Sequence, residues 1–190
     1  IALGLATIVP TRPGERRRGF LAALLAILIG LGAIWAPLKW PLNAYALPSI
    51  HDISTDMADP PALVQTLQMR HDAVTPASYD KEFATQQRAA YPDIQPIVLA
   101  QPPAEAFKRV DKVAMAMGWD IVARAPADGR LEAVDSTMWF GFHDDIVVRI
   151  RPEGSGSRID VRSKSRVWQA DLGVNASRIR DFTARLKAEH

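Results

Sequence analysis

The chain contains no cysteine, which removes disulfides and thiol chemistry together and agrees with an exported domain without requiring one. Its formal net charge is only +2 over 190 residues. Much of that excess sits in one short loop, and no dense basic run interleaved with aromatics occurs after it, so nucleic acid is excluded as the expected partner. The zinc-hydrolase spacing HExxH and the G-x-S-x-G turn of serine hydrolases are both absent, which leaves Ser163 and Ser165 without the context of a nucleophile. No reaction is declared, an enzyme is not expected, and no cofactor is expected.

What is present begins with GFLAALLAILIGLGAIWAPL, an uncharged stretch over residues 19–38. At about 1.5 Å rise per residue this matches a hydrocarbon layer of about 30 Å, and it predicts a transmembrane helix. A cleaved signal peptide would have a shorter apolar region ending in small residues. This one ends among Trp35, Pro37, Trp40 and Pro41, and the tryptophans suit a membrane interface. Before it, residues 11–18 carry Arg12, Arg16, Arg17 and Arg18 against a single Glu15, a basic loop expected on the cytoplasmic side. Residues 1–10 read as the end of a preceding transmembrane helix. Arg16, Arg17, Arg18, Trp35 and Trp40 are the expected membrane-interface residues, and everything after Trp40 is expected on the periplasmic side of a bacterial inner or intracytoplasmic membrane.

Residues 41–101 are proline-rich and weakly periodic, with one helix expected from Tyr79 to about Ala90, ended before Pro92. Ile50, Ile53, Leu63, Leu67, Ile94, Ile97, Val98 and Leu99 are too many apolar side chains for a solvated linker, so the segment reads as an extended strap laid on a surface. Residues 102–190 read as an α+β domain. A helix opens at Pro103, carries Phe107, Val110, Ala114 and Met117 at helical spacing, and can stop at Gly118. Four period-two strands follow in hairpin order: 119–125, 130–140, 145–153 and 158–167. A last helix carries Ile179, Phe182 and Leu186 as one stripe, with Asn175 as expected N-cap and Val174 and Ile179 as a hydrophobic staple. The expected fold is a two-layer sandwich: a four-stranded antiparallel sheet with two helices on one face.

The segments IHDISTDMADPP, QQRAAYPDIQP and FGFHDDIVVRI, followed by SRIDVRSKSRVWQADLGVNASRI, resemble a family of uncharacterised bacterial and plastid proteins. That family is a domain of unknown function with the hallmark VRSxSRxxxxDLGVN, and its membrane-anchored bacterial members are similar in layout. The resemblance spans about residues 49–188. It departs at Trp168, where the family pattern implies glycine or another small residue. The resemblance implies architecture and location, and no reaction.

Two histidine-plus-aspartate segments are the candidate sites. In an extended IHDISTD, Asp52, Ser54 and Asp56 share one face while His51, Ile53 and Thr55 share the other, which turns the histidine away from both carboxylates. A structural role in turns competes with a metal site shared with His143, Asp144 and Asp145, which themselves suit a hairpin turn. On the last strand Ile159, Val161, Ser163, Ser165 and Val167 face the helices. Asp160, Arg162, Lys164 and Arg166 face the other way, joined by Arg149 and Arg151 from the strand before. Like charges on neighbouring strands need anionic company, from Asp160, Glu132, Asp171, the strap, a partner protein or lipid headgroups. With Trp168 beside them, Arg162, Lys164, Arg166, Arg149 and Arg151 form the expected partner-docking face.

The expected function is that of a membrane-anchored accessory or structural subunit of a membrane protein complex, docking through its periplasmic domain. The resemblance to a family of photosynthetic bacteria and plastids points to an energy-transducing complex, photosynthetic or respiratory. The alternative is a periplasmic small-ligand or lipid-binding module, and a metal-dependent enzyme using His51 and His143 ranks third. The strap discriminates: folded back on its own domain to roof a pocket it favours ligand binding, and run out across another chain it favours the subunit.

Overall fold

The computed structural model describes residues 16–44, 48–136, 141–167 and 172–189, with residues 16–18, 21 and 36–44 described by their backbone alone. The chain divides into two compact units, Ile1–Leu47 and Pro48–His190.

In the first unit, helix α1 runs Arg16–Ala44. Phe20, Leu24, Leu25, Leu28, Ile29, Leu31, Ile34 and Trp35 are all exposed on it, and at 3.6 residues per turn they cover more than half of its circumference. Among the described residues, no helix is long and apolar enough to cross a membrane. The described side chains of α1 stop at Trp35, which leaves fewer than the ~20 apolar residues that a hydrocarbon layer takes. The expected span over 19–38 therefore meets a continuous helix and not a demonstrated membrane crossing. Residues 1–10 and Arg12 lie outside the described residues, as do the side chains of Arg16, Arg17, Arg18 and Trp40.

The second unit contains β1 (Asp52–Ser54), α2 (Gln65–Gln68), α3 (Lys81–Ala90), β2 (Ile97–Leu99), α4 (Pro103–Ala116) and β3 (Asp120–Ala125). There follow a 3-10 turn (Pro126–Asp128), β4 (Arg130–Ser136), β5 (His143–Glu153), β6 (Gly156–Ser165) and α5 (Val174–Ala188). The hairpin order of β3 to β6 is the one the alternation predicts. Pro103 sits in the first turn of α4, and Gly118 takes the left-handed conformation just past its end. The side chain of Asp80 accepts from Glu82 N at 2.9 Å and so starts α3.

The sheet has six strands, not the four expected. As the last strand of the meander, β6 would leave a long unpaired rim, and the strap covers it. Ile53 of β1 pairs with Ser163, and Val98 of β2 pairs with Arg158, both antiparallel. Between these short strands Thr55 bridges the gap, its N–H donating to Val161 O at 2.9 Å and its hydroxyl accepting from Val161 N at 2.8 Å. The resulting order is β1-β6-β5-β4-β3, with β2 also on β6. Close approach of β2 depends on Gly156, since a Cβ there would lie 2.1 Å from Leu99 O.

Both α4 and α5 pack on one face of this sheet. Phe107, Val110, Val113, Ile179, Phe182 and Leu186 are buried with Leu131, Ile146, Val148, Ile159 and Val161, and Trp119 stacks on Phe182 at 5.3 Å between centroids. Asn175 is not the N-cap. The helix opens at Gly173, in left-handed conformation, whose carbonyl accepts from Ser177 N at 2.9 Å. The amide of Asn175 is drawn under the helix instead, accepting from Ser163 Oγ at 2.6 Å and donating to Ser165 Oγ at 3.0 Å.

Candidate functional site

The face of the sheet opposite the helices is charged, and the strap lies over it. Residues alternate along β4, β5 and β6, so the strands that send Leu131, Val148 and Val161 to the helices send Glu132, Asp145, Arg149, Arg151, Asp160, Arg162 and Lys164 to the other side. These groups organise into three ion clusters that use strap residues as counter-ions.

At the centre is Asp52 of β1, fully buried. It accepts from Arg162 Nε at 2.9 Å and Nη2 at 2.7 Å, and from Lys164 Nζ at 2.7 Å. Arg162 also donates to the carbonyls of Pro61 and Ala77, at 3.1 and 3.0 Å, and lies over the Tyr79 ring at 5.5 Å. Burial pushes the Lys164 ammonium below the ordinary lysine pKa although Asp52 opposes the shift. Burial, reinforced by the Asp52 carboxylate, pushes the Tyr79 phenol up to about 12. Its buried hydroxyl has no hydrogen-bond partner.

Toward the end of β6, Asp145 is held by Arg166 through Nε at 3.0 Å and Nη2 at 2.6 Å, and by Arg70 of the strap. Arg70 also binds Thr75 Oγ1 at 2.7 Å, and that hydroxyl donates to Ser165 O at 2.7 Å. Toward the start of β6, Arg149, Arg151 and Arg158 all bind both Asp56 and Asp160, and the first two also reach Asp59. Burial raises the Asp56 pKa, but the Asp59 and Ala58 amides together with Arg151 and Arg158 outweigh it and hold the carboxyl below its ordinary value.

Two further contacts pin the strap. Glu132 accepts from the amides of Val64, Gln65 and Thr66 and from the Thr66 hydroxyl, all within 3.1 Å. Burial raises its pKa, and these donors more than reverse the shift. The amide of Gln87 in α3 mimics another strand: its Oε1 accepts from Ser54 N at 3.0 Å, and its Nε2 donates to Ser54 O at 2.7 Å. On the opposite face Arg178 joins Asp135 and Asp144 to Ser163 and Asn175, with distances of 2.7–2.9 Å.

This geometry changes the reading of the candidate residues. Arg162, Lys164 and Arg166 are buried at 3%, 1% and 4% exposure, so they present no open docking face; Asp52, Asp72 and Asp145 already pair with them. Arg149 and Arg151 are partly exposed and committed to Asp56, Asp59 and Asp160. Trp168 lies outside the described residues. The segment His143–Asp145 is not a hairpin turn but the start of β5, which sends Asp144 to Arg178 and Asp145 to Arg166. His51 meets Phe83 edge-on at 5.0 Å, while its carbonyl accepts from Ser165 N. His143 Nδ1 lies 2.9 Å from Ser136 Oγ. Among the described residues, no group of three or more histidines and carboxylates is arranged to hold a metal ion.

The sequence pattern names the strap among the possible anionic partners of Arg162 and Lys164, but not Asp52 as the residue that meets them, nor the roles of Asp59, Arg70, Tyr79 and Gln87. The one signal available was the surplus of cations on β5 and β6, which requires nearby anions. Elsewhere, Ile94, Gln95, Ile179, Thr183 and Lys187 line a groove of about 300 Å³ beside the Asp93–Arg180 pair. It is separate from the ion clusters, and the Arg180 guanidinium at its rim is paired to Asp93 at 2.6 and 2.8 Å.

A family model described as a protein of unknown function matches residues 52–186. No curated protein matches the chain. Among solved structures, TTHA0849 from Thermus thermophilus aligns at 12% identity and a TM-score of 0.30, covering 49% of this chain and 94% of that one. Ara h 8.0201 aligns at 14% identity and a TM-score of 0.29, covering 50% and 93%.

Proposed function

Since the chain belongs to the DUF1499 family of proteins of unknown function, no reaction comes with its membership, and we propose a membrane-anchored accessory subunit of a membrane protein complex, not an enzyme. The observation that carries this reading is α1, whose large apolar side chains are exposed over most of its circumference. A helix of that kind requires cover by lipid or by other apolar helices. The uncharged stretch 19–38 would cross the bilayer once, with the residues after Trp40 on the periplasmic side of a bacterial inner or intracytoplasmic membrane. An energy-transducing complex is the first class of partner to examine.

The outer domain supports a structural role in a second way. Its buried charges pair with one another across strap and sheet, an arrangement that fixes a surface. Docking then uses the outside of the strap in place of the basic face beneath it. Extraction of membranes with mild detergent followed by native electrophoresis tests the reading. Co-migration with other membrane subunits is expected; recovery solely as a free monomer, or release by an alkaline carbonate wash, overturns it.

The strap's return onto its own domain meets half of the condition for the second reading, a small-ligand or lipid-binding module, the other half being a pocket beneath it. Mass spectrometry of lipids and small molecules co-purifying with the full chain decides it: a stoichiometric ligand would displace the subunit proposal.

A further inference from the structure

Within eleven residues the strap leaves four large apolar side chains in solvent: Val64 at 40%, Leu67 at 48%, Met69 at 37% and Val74 at 72% exposure. Hydrogen bonds fix where this ridge ends. Arg166 N–H donates to His143 O, the Arg166 carbonyl accepts from Val74 N at 2.9 Å and Thr75 N at 3.1 Å, and Arg166 Nη1 donates to Met69 O at 3.0 Å. The neighbouring Ser165 N–H donates to His51 O, while Ile50 N turns back to Pro48 O. Val74 and the entry of the chain into the domain at Pro48 thus share one end of the sheet. Val98, exposed at 63%, is paired with Arg158 on the same strand, about 23 Å away from Ser165 at a strand's rise of about 3.3 Å per residue.

Chain length adds the second constraint. Only residues 45–47 separate Ala44 from Pro48, so whatever the orientation of the two units, the two residues stay within about 14 Å. From Leu38 to Ala44 the helix climbs about 9 Å, which ends it near the outer limit of a headgroup layer. We propose that the apolar ridge ending at Val74 rests in the interface of the bilayer that α1 spans, making this end of the domain its membrane-facing end. The charged groups beside it, Arg166 and Arg70, are matched by Asp145 together with Asp72, which lies 3.6 Å from Arg166, so the contact is apolar and needs no anionic lipid. An exposed apolar patch of this kind marks a membrane or protein contact, and the short tether favours the membrane. The inference rests on the anchoring proposed above and deepens it.

Because the chain has no cysteine, single sites can be labelled cleanly. Full-length Val74→Cys, Leu67→Cys and Val98→Cys carry an environment-sensitive fluorophore and are reconstituted into phosphatidylcholine vesicles with or without dibrominated acyl chains. The labels at Val74→Cys and Leu67→Cys should shift to the blue and be quenched several-fold by brominated lipid, while the label at Val98→Cys stays unquenched. Equal quenching at all three sites, or none at Val74→Cys in protein that survives a carbonate wash with the vesicles, overturns the inference and leaves the anchor standing. Loss of the protein in that wash removes the anchor and the inference with it. Absence of lipid quenching combined with loosening of the native complex by Val74→Asp would assign the ridge to a protein partner instead.

Discussion

Replacing Asp52 by asparagine keeps the shape of the side chain and removes the one charge at the centre of the strap–sheet interface. In the native chain this carboxylate takes two hydrogen bonds from Arg162 and one from Lys164, and all three side chains are at most 4% exposed. Asparagine leaves two cations buried without a counter-charge, held only by its amide oxygen and by backbone carbonyls, those of Pro61 and Ala77 for Arg162 and, at 3.5 Å, Ser78 for Lys164. Breaking a buried pair by removing one partner costs about 3–5 kcal/mol, which is a large part of the 5–15 kcal/mol that ordinarily holds a domain. The cost should depend on pH. Burial already lowers the Lys164 pKa against the pull of Asp52, and without that pull it falls further. The folded variant then binds fewer protons than its unfolded chain up to the ordinary lysine pKa of about 10.4, so its stability rises with pH across that window. Urea unfolding of the full chain at pH 7 and pH 9, followed by circular dichroism, should show the larger loss at pH 7. Adding Lys164→Met to the variant removes the second stranded charge and should return part of the loss. A cost below about 1 kcal/mol, well short of a broken buried pair, with no increase in proteolysis of residues 52–101, would refute the latch.

Gln87→Leu strands the N–H and C=O of Ser54 and should cost about 2 kcal/mol, read as faster hydrogen exchange at the Ser54 amide; unchanged exchange there would remove Gln87 from the edge. Gly129→Ala should cost about 3 kcal/mol in chemical unfolding, because Gly129 has φ +60° and a Cβ would lie 2.1 Å from Ile150 O; a neutral result would mean that the β4–β5 register is free to shift. Glu132 is held below the ordinary glutamate pKa, so its contribution is complete above pH about 4.5 and is lost as pH falls through the lowered folded value. Glu132→Gln should therefore be less stable than the native chain by about 2 kcal/mol at pH 7, with a gap that closes in acid; a gap independent of pH would contradict the assignment.

The meander and its two helices were legible because their signals are local. Alternation from Arg130 to Ser136 and from Gly156 to Ser165, Pro103 at a helix start and Gly118 past its end each act within a few residues. The strap strands were not legible, since three residues carry no measurable period and their partners are distant, as with Asp52 and Arg162 at a separation of 110 residues. Asn175 shows the opposite failure. Its sequence context is a sound N-cap signal, yet Ser163 and Ser165 on β6 offer its amide buried partners, and tertiary structure overrides the local preference. At the site, the face of each charge was legible and its partner was not. Period two states that Arg162 and Lys164 point away from the helices, but nothing local states that Asp52 returns to meet them.

Using charge in place of apolar contact to hold the strap has a consequence for specificity. Ascending the strap from Asp52 to Asp56 means descending β6 from Lys164 and Arg162 to Arg158, as antiparallel pairing requires, while Asp59 shares Arg149 and Arg151 of β5 with Asp56. A slip of one residue would turn every side chain of β1 over, setting Ile53 among the buried cations and Asp52 among Ile159, Val161 and the helices. An apolar strap would tolerate such a slip, because hydrophobic contact is non-directional. Buried ion pairs are weak contributors to net stability, but their best-supported use is in selecting one register over its neighbours. The strap is thus held in one alignment along its length, and the outward ridge of Val64, Leu67, Met69 and Val74 is held with it. A surface intended for contact with a membrane or a subunit benefits from that fixity, since no ordering of the segment remains to be done when contact is made.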